Sequence, residues 1–229
     1  PAPAEHGNLI QARPWAAIQV EDRLLFDWLK KDGVYPSGTR RYGMCPYITV
    51  GYQTAWAWRR AGIERLRVTV KLDQGQSTSH NVIAELPGRQ ASEPIIVLGA
   101  HHDSQCNNVG ADDNASGVVA LLEMARLLIP LSRRRTIRLI SFGTEEQLSV
   151  GSAAYVRRHR REMDNVGVMM NFDSVSSVIG HTSVAITAGE QLERLVHRSL
   201  SAAALCYRTV PGRTPFTDQF RFSAWGLAT

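Results

Sequence analysis

Short continuous apolar runs alternate along the chain with segments in which apolar residues recur at helical spacing. Three runs predict buried strands: residues 95–100, 136–142 and 166–172. Three segments predict helices: residues 117–128, 151–161 and 190–204. Buried strands that alternate with helices form a mostly parallel sheet covered on both faces. The pattern therefore predicts an α/β protein, a three-layer α/β/α sandwich with a mostly parallel mixed sheet.

The first third of the chain is less regular. Residues 65–72 and 81–86 alternate apolar with polar side chains, which predicts an antiparallel pair of strands. A helix is predicted over residues 21–31, after a Pro/Ala-rich tail at residues 1–16. No repeat and no linker interrupts the chain, so we expect one domain over residues 1–229.

Composition narrows the class of protein. The chain is 44% hydrophobic and 21% charged, as in ordinary soluble domains, and no stretch approaches the roughly 18 apolar residues that a membrane span needs. The net charge of +5 comes from short arginine clusters without a recognition motif, so we expect no nucleic-acid partner. Three scattered cysteines provide neither a disulfide framework nor a zinc knuckle. The start at Pro1, without an initiator Met, fits a processed secreted or periplasmic chain, although the sequence fixes no compartment.

Acidic residues follow the predicted strands where each strand ends. His101 and Asp103 follow the first run, Glu145 and Glu146 the second, and Asp173 the third. The carboxyl ends of parallel strands meet at one edge of the sheet, where ligands bind. Buried carboxylates need a compensating cation, and one imidazole among several carboxylates suits zinc better than magnesium or calcium. A zinc site at this edge is therefore the favoured interpretation.

The acidic segments also have a simpler interpretation. Glu145 and Glu146 could stabilise the start of the next helix electrostatically, and Asp112 could cap the helix predicted from residue 117. In the metal interpretation, one of the two glutamates binds the ion and its neighbour takes a proton from activated water. The coincidence of all these groups at one sheet edge favours the metal interpretation.

Three sequence strings resemble the zinc aminopeptidases of the bacterial leucyl aminopeptidase and aminopeptidase Y type. They are VLGAHHDS at residues 97–104, GADDNASG at 110–117 and FGTEE at 142–146. The likeness extends from about residue 81, through NFD at 171–173, to the end of the chain. It implies the zinc exopeptidase fold, two co-catalytic zinc ions and peptide substrates with a free N-terminus.

The resemblance also implies a role for each site residue. The metal ligands would be five residues: His101, Asp112, Glu146, Asp173 and Gln219. Asp112 would bridge the two ions, Glu145 would act as the general base on zinc-activated water, and Asp103 would orient His101. The peptide bond between Asp112 and Asp113 is expected to be cis.

Two features depart from the family pattern. Gln219 stands where the family has a late histidine, and because an amide is a weaker zinc ligand than imidazole, the second ion should be held loosely. The chain stops at Thr229, where the family continues with a further strand and a helix. Either the protein is a shortened relative, or the sequence is an incomplete version of a longer chain. A missing strand would expose a sheet edge and favour homo-oligomers.

Other functions remain open at this level. One alternative is a non-catalytic binding relative, and another is a glutaminyl cyclase-like acyltransferase with a single zinc. An aminopeptidase and a carboxypeptidase would use the same metals and the same general base. The side-chain specificity cannot be read from the sequence.

Overall fold

The structure is a computed structural model. It describes residues 16–21, 47–69, 75–105, 108–176, 181–212 and 217–229. The chain divides into two units, Pro1–Gly75 and Gln76–Thr229. In the first unit, strand β1 (Ala17–Glu21) pairs in parallel with β2 (Tyr47–Gly51), and helix α1 (Tyr52–Arg60) follows. Residues 1–15 of the predicted tail and 22–31 of the predicted first helix lie outside the described residues, whereas residue 21 belongs to β1. The single domain over residues 1–229 stays a prediction.

The second unit contains a four-stranded sheet. Its strands are β3 (Val82–Leu86), β4 (Ile95–His101), β5 (Ile137–Phe142) and β6 (Val166–Asn171). Their order across the sheet is β3-β5-β4-β6, with β4 parallel to both of its neighbours and β3 antiparallel to β5. The three strands and the mostly parallel mixed sheet predicted from the apolar runs are confirmed, although β6, last in the described sheet, buries only Val166 and Met169.

The described part of this unit also contains four α-helices and a second small sheet. The helices are α2 (Gly117–Leu128), α3 (Val150–Arg158), α4 (Glu190–Ala202) and α5 (Gln219–Ser223). Strands β7 (Thr182–Ile186) and β8 (Tyr207–Pro211) form a parallel pair. Within the described part of the chain, no helix combines the length and the apolar character required to cross a membrane.

The two faces of the four-stranded sheet each bury an apolar cluster. On β4, Val97 packs in one cluster and Leu98 in the other, as expected when successive side chains of a strand point to opposite faces. The first cluster includes Tyr155 of α3 and Phe222 of α5, whereas the second includes Leu121 of α2. Helices therefore cover both faces, which confirms the three-layer sandwich.

The antiparallel partner of β3 differs from the prediction. Residues 65–69 have no regular secondary structure, and residues 70–72 lie outside the described residues. β3 pairs instead with β5, where Val82 lies opposite Ser141 and Leu86 opposite Ile137. Alternation marks a half-buried strand but does not identify its partner, which explains the error.

Candidate metal centre

His101 is the last residue of β4, and its side chain lies at the carboxyl edge of the sheet. The imidazole is 1% exposed. Its Nε2 atom lies 3.0 Å from Asp113 Oδ1 and 3.4 Å from Asp173 Oδ1. Its Nδ1 atom lies 3.0 Å from the carbonyl oxygen of Asp103. One imidazole nitrogen is therefore held by the chain, and the other faces two carboxylates.

Asp113 reaches this position through a wide turn, Ala111–Ser116, that leads into α2. The buried side chain of Asn114 fixes the turn against the exit of β6. Its amide Nδ2 donates to the carbonyl of Phe172 at 2.9 Å, and its Oδ1 accepts from the backbone N–H of Gly117 at 2.9 Å. The same oxygen accepts from the N–H of Ser174 at 3.3 Å. Asn114 thus holds the Asp113 and Asp173 segments side by side.

Asp112 lies outside this group of three. Its Oδ1 accepts a hydrogen bond from the N–H of Ser176 at 3.1 Å, so it fastens the loop after β6. The structure therefore brings Asp113, and not Asp112, to His101 and Asp173. The expected cis bond between Asp112 and Asp113 was wrong by one residue, because the cis peptide joins Asp113 to Asn114.

Asp103 connects the imidazole to the pair of glutamates. Its Oδ1 accepts from the backbone N–H of Glu145 at 2.9 Å, and its Oδ2 from the N–H of Glu146 at 3.1 Å. The same Oδ1 lies 3.4 Å from Nδ1 of His101. Burial raises the pKa of Asp103, but the hydrogen bonds from the imidazole and the two N–H groups lower it overall. The carboxylate of Asp103 therefore links β4 to the loop that follows β5.

That loop is closed by the side chain of Asn81. Its Oδ1 accepts from the N–H of Gly143 at 3.1 Å, and its Nδ2 donates to the carbonyl of Gly151 at 2.9 Å. A Cβ atom at Gly151 would clash with the Gly143 carbonyl oxygen, so the two ends of the loop touch backbone to backbone. Inside the loop, Thr144 and Leu148 have φ angles of 58° and 68°, a strained region for side-chain-bearing residues. Both glutamates therefore stand on a constrained loop.

The charges at this edge change the acidity of His101 and Glu145. Burial lowers the pKa of His101, but hydrogen bonds to the surrounding carboxylates outweigh it and raise this pKa to about 12. Burial, with the nearby Asp218 carboxylate, raises the pKa of Glu145 to about 7. Glu145 is 8% exposed, and its Oε1 accepts from Ser149 Oγ at 3.0 Å. The site thus attracts positive charge and holds one carboxyl group that titrates near neutrality.

Glu146 and Gln219 are not part of the group of three, but both bury an oxygen. Glu146 Oε1 and Gln219 Oε1 have no hydrogen-bond partner among the described residues. Burial raises the pKa of Glu146. Gln219 begins α5 directly after Asp218, which is fully buried and whose pKa burial raises to about 6. Buried oxygens without partners are costly, and a cation would satisfy them.

The group formed by His101, Asp113 and Asp173 fits a zinc ion. The three candidate ligand atoms lie within 4.8 Å of one another. One imidazole nitrogen with carboxylate oxygens is a donor set that zinc accepts. The Nδ1 contact with Asp103 also orients the ring, as residues behind metal ligands commonly do.

Besides Asp113, three residues of this edge were absent from the prediction from sequence. Asn114 and Asn81 act through hydrogen bonds to distant segments, and Asp218 is a buried acid next to the predicted ligand Gln219. The Asp-Asp-Asn string did signal an acidic turn, but it did not show which of its two aspartates faces His101.

Comparison with known proteins places this geometry in a family. Residues 81–224, more than half of the chain, match the family model described as Peptidase family M28. An aminopeptidase of Pseudomonas aeruginosa (strain UCBPP-PA14) is 32% identical over 136 residues, which cover 59% of this chain and 25% of that protein. Carboxypeptidase Q of Xenopus laevis is 27% identical over 135 residues, which cover 56% of this chain and 29% of that protein. The chain therefore spans about a quarter of the length of these relatives.

A solved structure shows the same fold. BSAP, a zinc aminopeptidase from Bacillus subtilis, superimposes with a TM-score of 0.68 at 21% identity, covering 93% of this chain and 52% of that one. The matched family region contains the whole carboxyl edge, from Asn81 through His101 and Asp173 to Gln219. The chain belongs to Peptidase family M28.

Proposed function

We propose that this chain is the catalytic part of a zinc-dependent aminopeptidase that removes residues from the free N-terminus of peptides. The observation that carries the proposal is the convergence of His101, Asp113 and Asp173 within 4.8 Å, at the same sheet edge as the buried Glu145. Membership of a peptidase family supports the hydrolase class, and the name of the Pseudomonas relative supports the aminopeptidase type.

In this proposal, His101, Asp113 and Asp173 hold a zinc ion. Asp113 would serve as the metal ligand that the sequence resemblance assigned to Asp112, because its Oδ1 lies 3.0 Å from His101 Nε2. Bound zinc would supply Lewis-acid polarisation of the scissile carbonyl group. Asp103 keeps His101 oriented. Through two hydrogen bonds from backbone N–H groups, it also anchors the glutamate loop, residues 143–149, which carries Glu145 and Glu146.

Glu145 is suited to move the proton. Its pKa of about 7 allows it to gain and lose a proton near neutral pH, where a general base works best. The hydrogen bond from Ser149 Oγ fixes the direction of its carboxylate. Glu145 would take a proton from the attacking water and deliver it to the leaving amine, so that one water molecule is added across the peptide bond.

A second zinc ion would bind to Asp113, Glu146 and Gln219. The buried, unpartnered oxygens of Glu146 and Gln219 support this assignment within the described part of the chain. Because an amide oxygen is neutral, this ion should be the weaker of the two. Two co-catalytic ions of unequal affinity are therefore proposed.

The test is hydrolysis of leucine 4-nitroanilide by the purified chain after removal of metal with a chelator. Activity should be absent in the stripped protein and should return as zinc is added. A folded protein that stays inactive at every zinc concentration would favour the non-catalytic binding relative.

Blocked substrates separate the two exopeptidase types. An aminopeptidase should not cleave N-acetyl-leucine 4-nitroanilide, because it recognises the free amine. Cleavage of an N-blocked dipeptide at its free carboxyl end would instead indicate the activity named for the Xenopus relative. Cyclisation of an N-terminal glutamine without hydrolysis would indicate the acyltransferase alternative.

A further inference from the structure

A groove of about 600 Å³ lies behind the glutamate loop, between helix α3 and the segment that precedes β3. Thr144, which directly precedes Glu145, lines one end of the groove. None of the proposed metal ligands lines it, and none of its described lining residues is acidic. The groove is therefore separate from the metal centre and differs from it in charge.

Helix α3 provides one wall of the groove. Val150, Ala154, Arg157 and Arg158 all line it, at spacings that place them on one side of a helix. The wall is thus apolar at its first turn and basic at its last. Arg157 and Arg158 are exposed and make no ion pair or hydrogen bond with a described residue.

The acidic residue closest in sequence to this basic end is already engaged. Glu162 Oε1 lies 2.9 Å from His159 Nδ1, and Glu162 Oε2 accepts a hydrogen bond from Arg138 Nη1 at 2.9 Å. The charge of Arg157 and Arg158 is therefore left for a group outside the described chain.

Residues 77–83 form the opposite wall. Ser77, Ser79, His80, Asn81 and Ile83 all line the groove, and residues 77–81, directly before β3, have no regular secondary structure. Residues 77–80 are exposed and form no backbone hydrogen bond with any described residue. Their N–H and C=O groups are thus free to pair with an extended chain, as in recognition by strand addition.

We propose that this groove binds an extended acidic peptide segment of a partner protein. The backbone of the partner would pair with residues 77–80, its apolar side chains would contact Val150 and Ala154, and its carboxylates would meet Arg157 and Arg158. Charge complementarity of this kind selects the partner and speeds association. The binding does not depend on the peptidase activity proposed above.

A nucleic-acid strand fits the groove less well. Single-stranded nucleic acid is bound through bases stacked on exposed aromatic rings. Among the described lining residues, Tyr155 is 2% exposed and covered by Phe222 at a ring distance of 5.8 Å, and the His159 ring is stacked on Tyr155 at 4.4 Å, which leaves His80 as the one exposed ring. The exposed C=O groups of residues 77–80 can accept hydrogen bonds from a peptide backbone, whereas a phosphodiester backbone offers them no donor.

The test uses fluorescence anisotropy with the full chain and labelled peptides that alternate Glu and Val. The peptides are N-acetylated and C-amidated, so that an exopeptidase has no terminus to attack. The Glu peptide should bind more tightly than its Lys and Gln counterparts, and binding should weaken as salt rises. Hydrogen exchange should show that the bound peptide protects the backbone amides of residues 77–80.

Charge reversal in two neighbouring arginine pairs provides the control. The double variant Arg157→Glu, Arg158→Glu should lose affinity by about tenfold or more. The matched variant Arg160→Glu, Arg161→Glu has the same net charge but alters no lining residue, and it should change affinity by less than about threefold. If the first variant is unfolded by circular dichroism, Arg157→Gln and Arg158→Gln replace it.

Three results would overturn the proposal. The first is an equal loss of affinity in both charge-reversal variants, which would indicate general attraction to a basic surface. The second is binding of the Glu peptide without protection of residues 77–80. The third is tighter binding of a single-stranded oligonucleotide that is lost in the Arg157 and Arg158 variant, which would make the groove a nucleic-acid site.

Discussion

The bodies and the ends of strands β4 and β5 bury different kinds of side chain. In the strand bodies, Val97 and Ile140 are fully buried among apolar neighbours. At the strand ends, His101 and Glu145 are 1% and 8% exposed, although both can carry charge. The sheet therefore places an apolar core and a polar site only a few residues apart.

The polar side chains of the two regions also differ in whether they find hydrogen-bond partners. In the body of β5, the guanidinium group of Arg138 has hydrogen-bond partners, since it donates to Tyr155 Oη at 2.7 Å and to Glu85 Oε1 at 2.6 Å. At the strand ends, Glu146 Oε1 is buried without a partner among the described residues. The polar side chain in the body of β5 is thus satisfied by the chain itself, whereas the buried oxygen of Glu146 at the edge would be satisfied by a bound cation.

Removal of a core ring should destabilise the fold most. Phe142 is fully buried and packs edge-to-face against Tyr155 and Phe222, at ring distances of 6.1 and 6.2 Å. Phe142→Ala should lower the free energy of unfolding by about 3–5 kcal/mol, because it leaves a cavity. Urea denaturation measures the loss, with Phe142→Leu as a control that should lose much less. A loss near zero for the alanine variant would show that this cluster does not support the fold.

Replacement of the proposed base should affect turnover and spare the metal. Glu145→Gln should reduce the turnover number for leucine 4-nitroanilide by about 100-fold or more, because it removes proton transfer and leaves the ligands in place. Zinc content and the unfolding temperature should stay close to those of the unmodified chain. Full turnover in this variant would contradict the role given to Glu145.

The Asn81 side chain, which joins the two ends of the glutamate loop, should contribute a smaller amount to the free energy of unfolding. Asn81→Ala removes the two hydrogen bonds that join Gly143 to Gly151 and should lower the free energy of unfolding by about 1–3 kcal/mol. Hydrogen exchange in residues 143–151 should rise more than in α2. The exposed Asn165, whose side chain makes no hydrogen bond with a described residue, provides the control Asn165→Ala. Equal changes in the free energy of unfolding and in hydrogen exchange for the two variants would contradict this role of Asn81.

The smallest change, in zinc affinity, is expected from replacement of Gln219, the proposed weak ligand. Gln219→His should lower the dissociation constant of the second zinc ion by about tenfold, since imidazole is a stronger ligand than an amide. Zinc titration by calorimetry measures it. Gln191→His adds an imidazole on the exposed face of α4 and controls for unspecific binding. If the second zinc-binding event has the same affinity in Gln219→His as in the unmodified chain, Gln219 is not a ligand of that ion.

The apolar runs predicted the sheet well because the central strands are buried on both faces. The run at residues 95–100 became β4 and the run at 166–172 became β6, each within about one residue at its ends, as is usual for such boundaries. Strand β7 was missed because its five residues, TSVAI, form neither a continuous apolar run of the length seen in β4 nor an alternation of apolar and polar side chains.

The site was predicted less completely, for reasons of backbone geometry. Sequence supplied two adjacent aspartates, and only the path of the turn decides which of them faces the imidazole. Asp113 has non-helical angles of φ −108° and ψ 93° within that turn, which directs it differently from Asp112. Asn81 was missed because it acts on residues 62 and 70 positions away in the chain.

Calorimetric zinc titration of two neighbouring variants tests the central claim most directly. Asp113→Asn should weaken zinc binding by about 100-fold or more, because it removes a charged ligand from the group with His101 and Asp173. Asp112→Asn keeps an oxygen that can accept from the N–H of Ser176 and should bind zinc within about tenfold of the unmodified chain. The reverse order, or equal losses in the two variants, would contradict the metal centre described here.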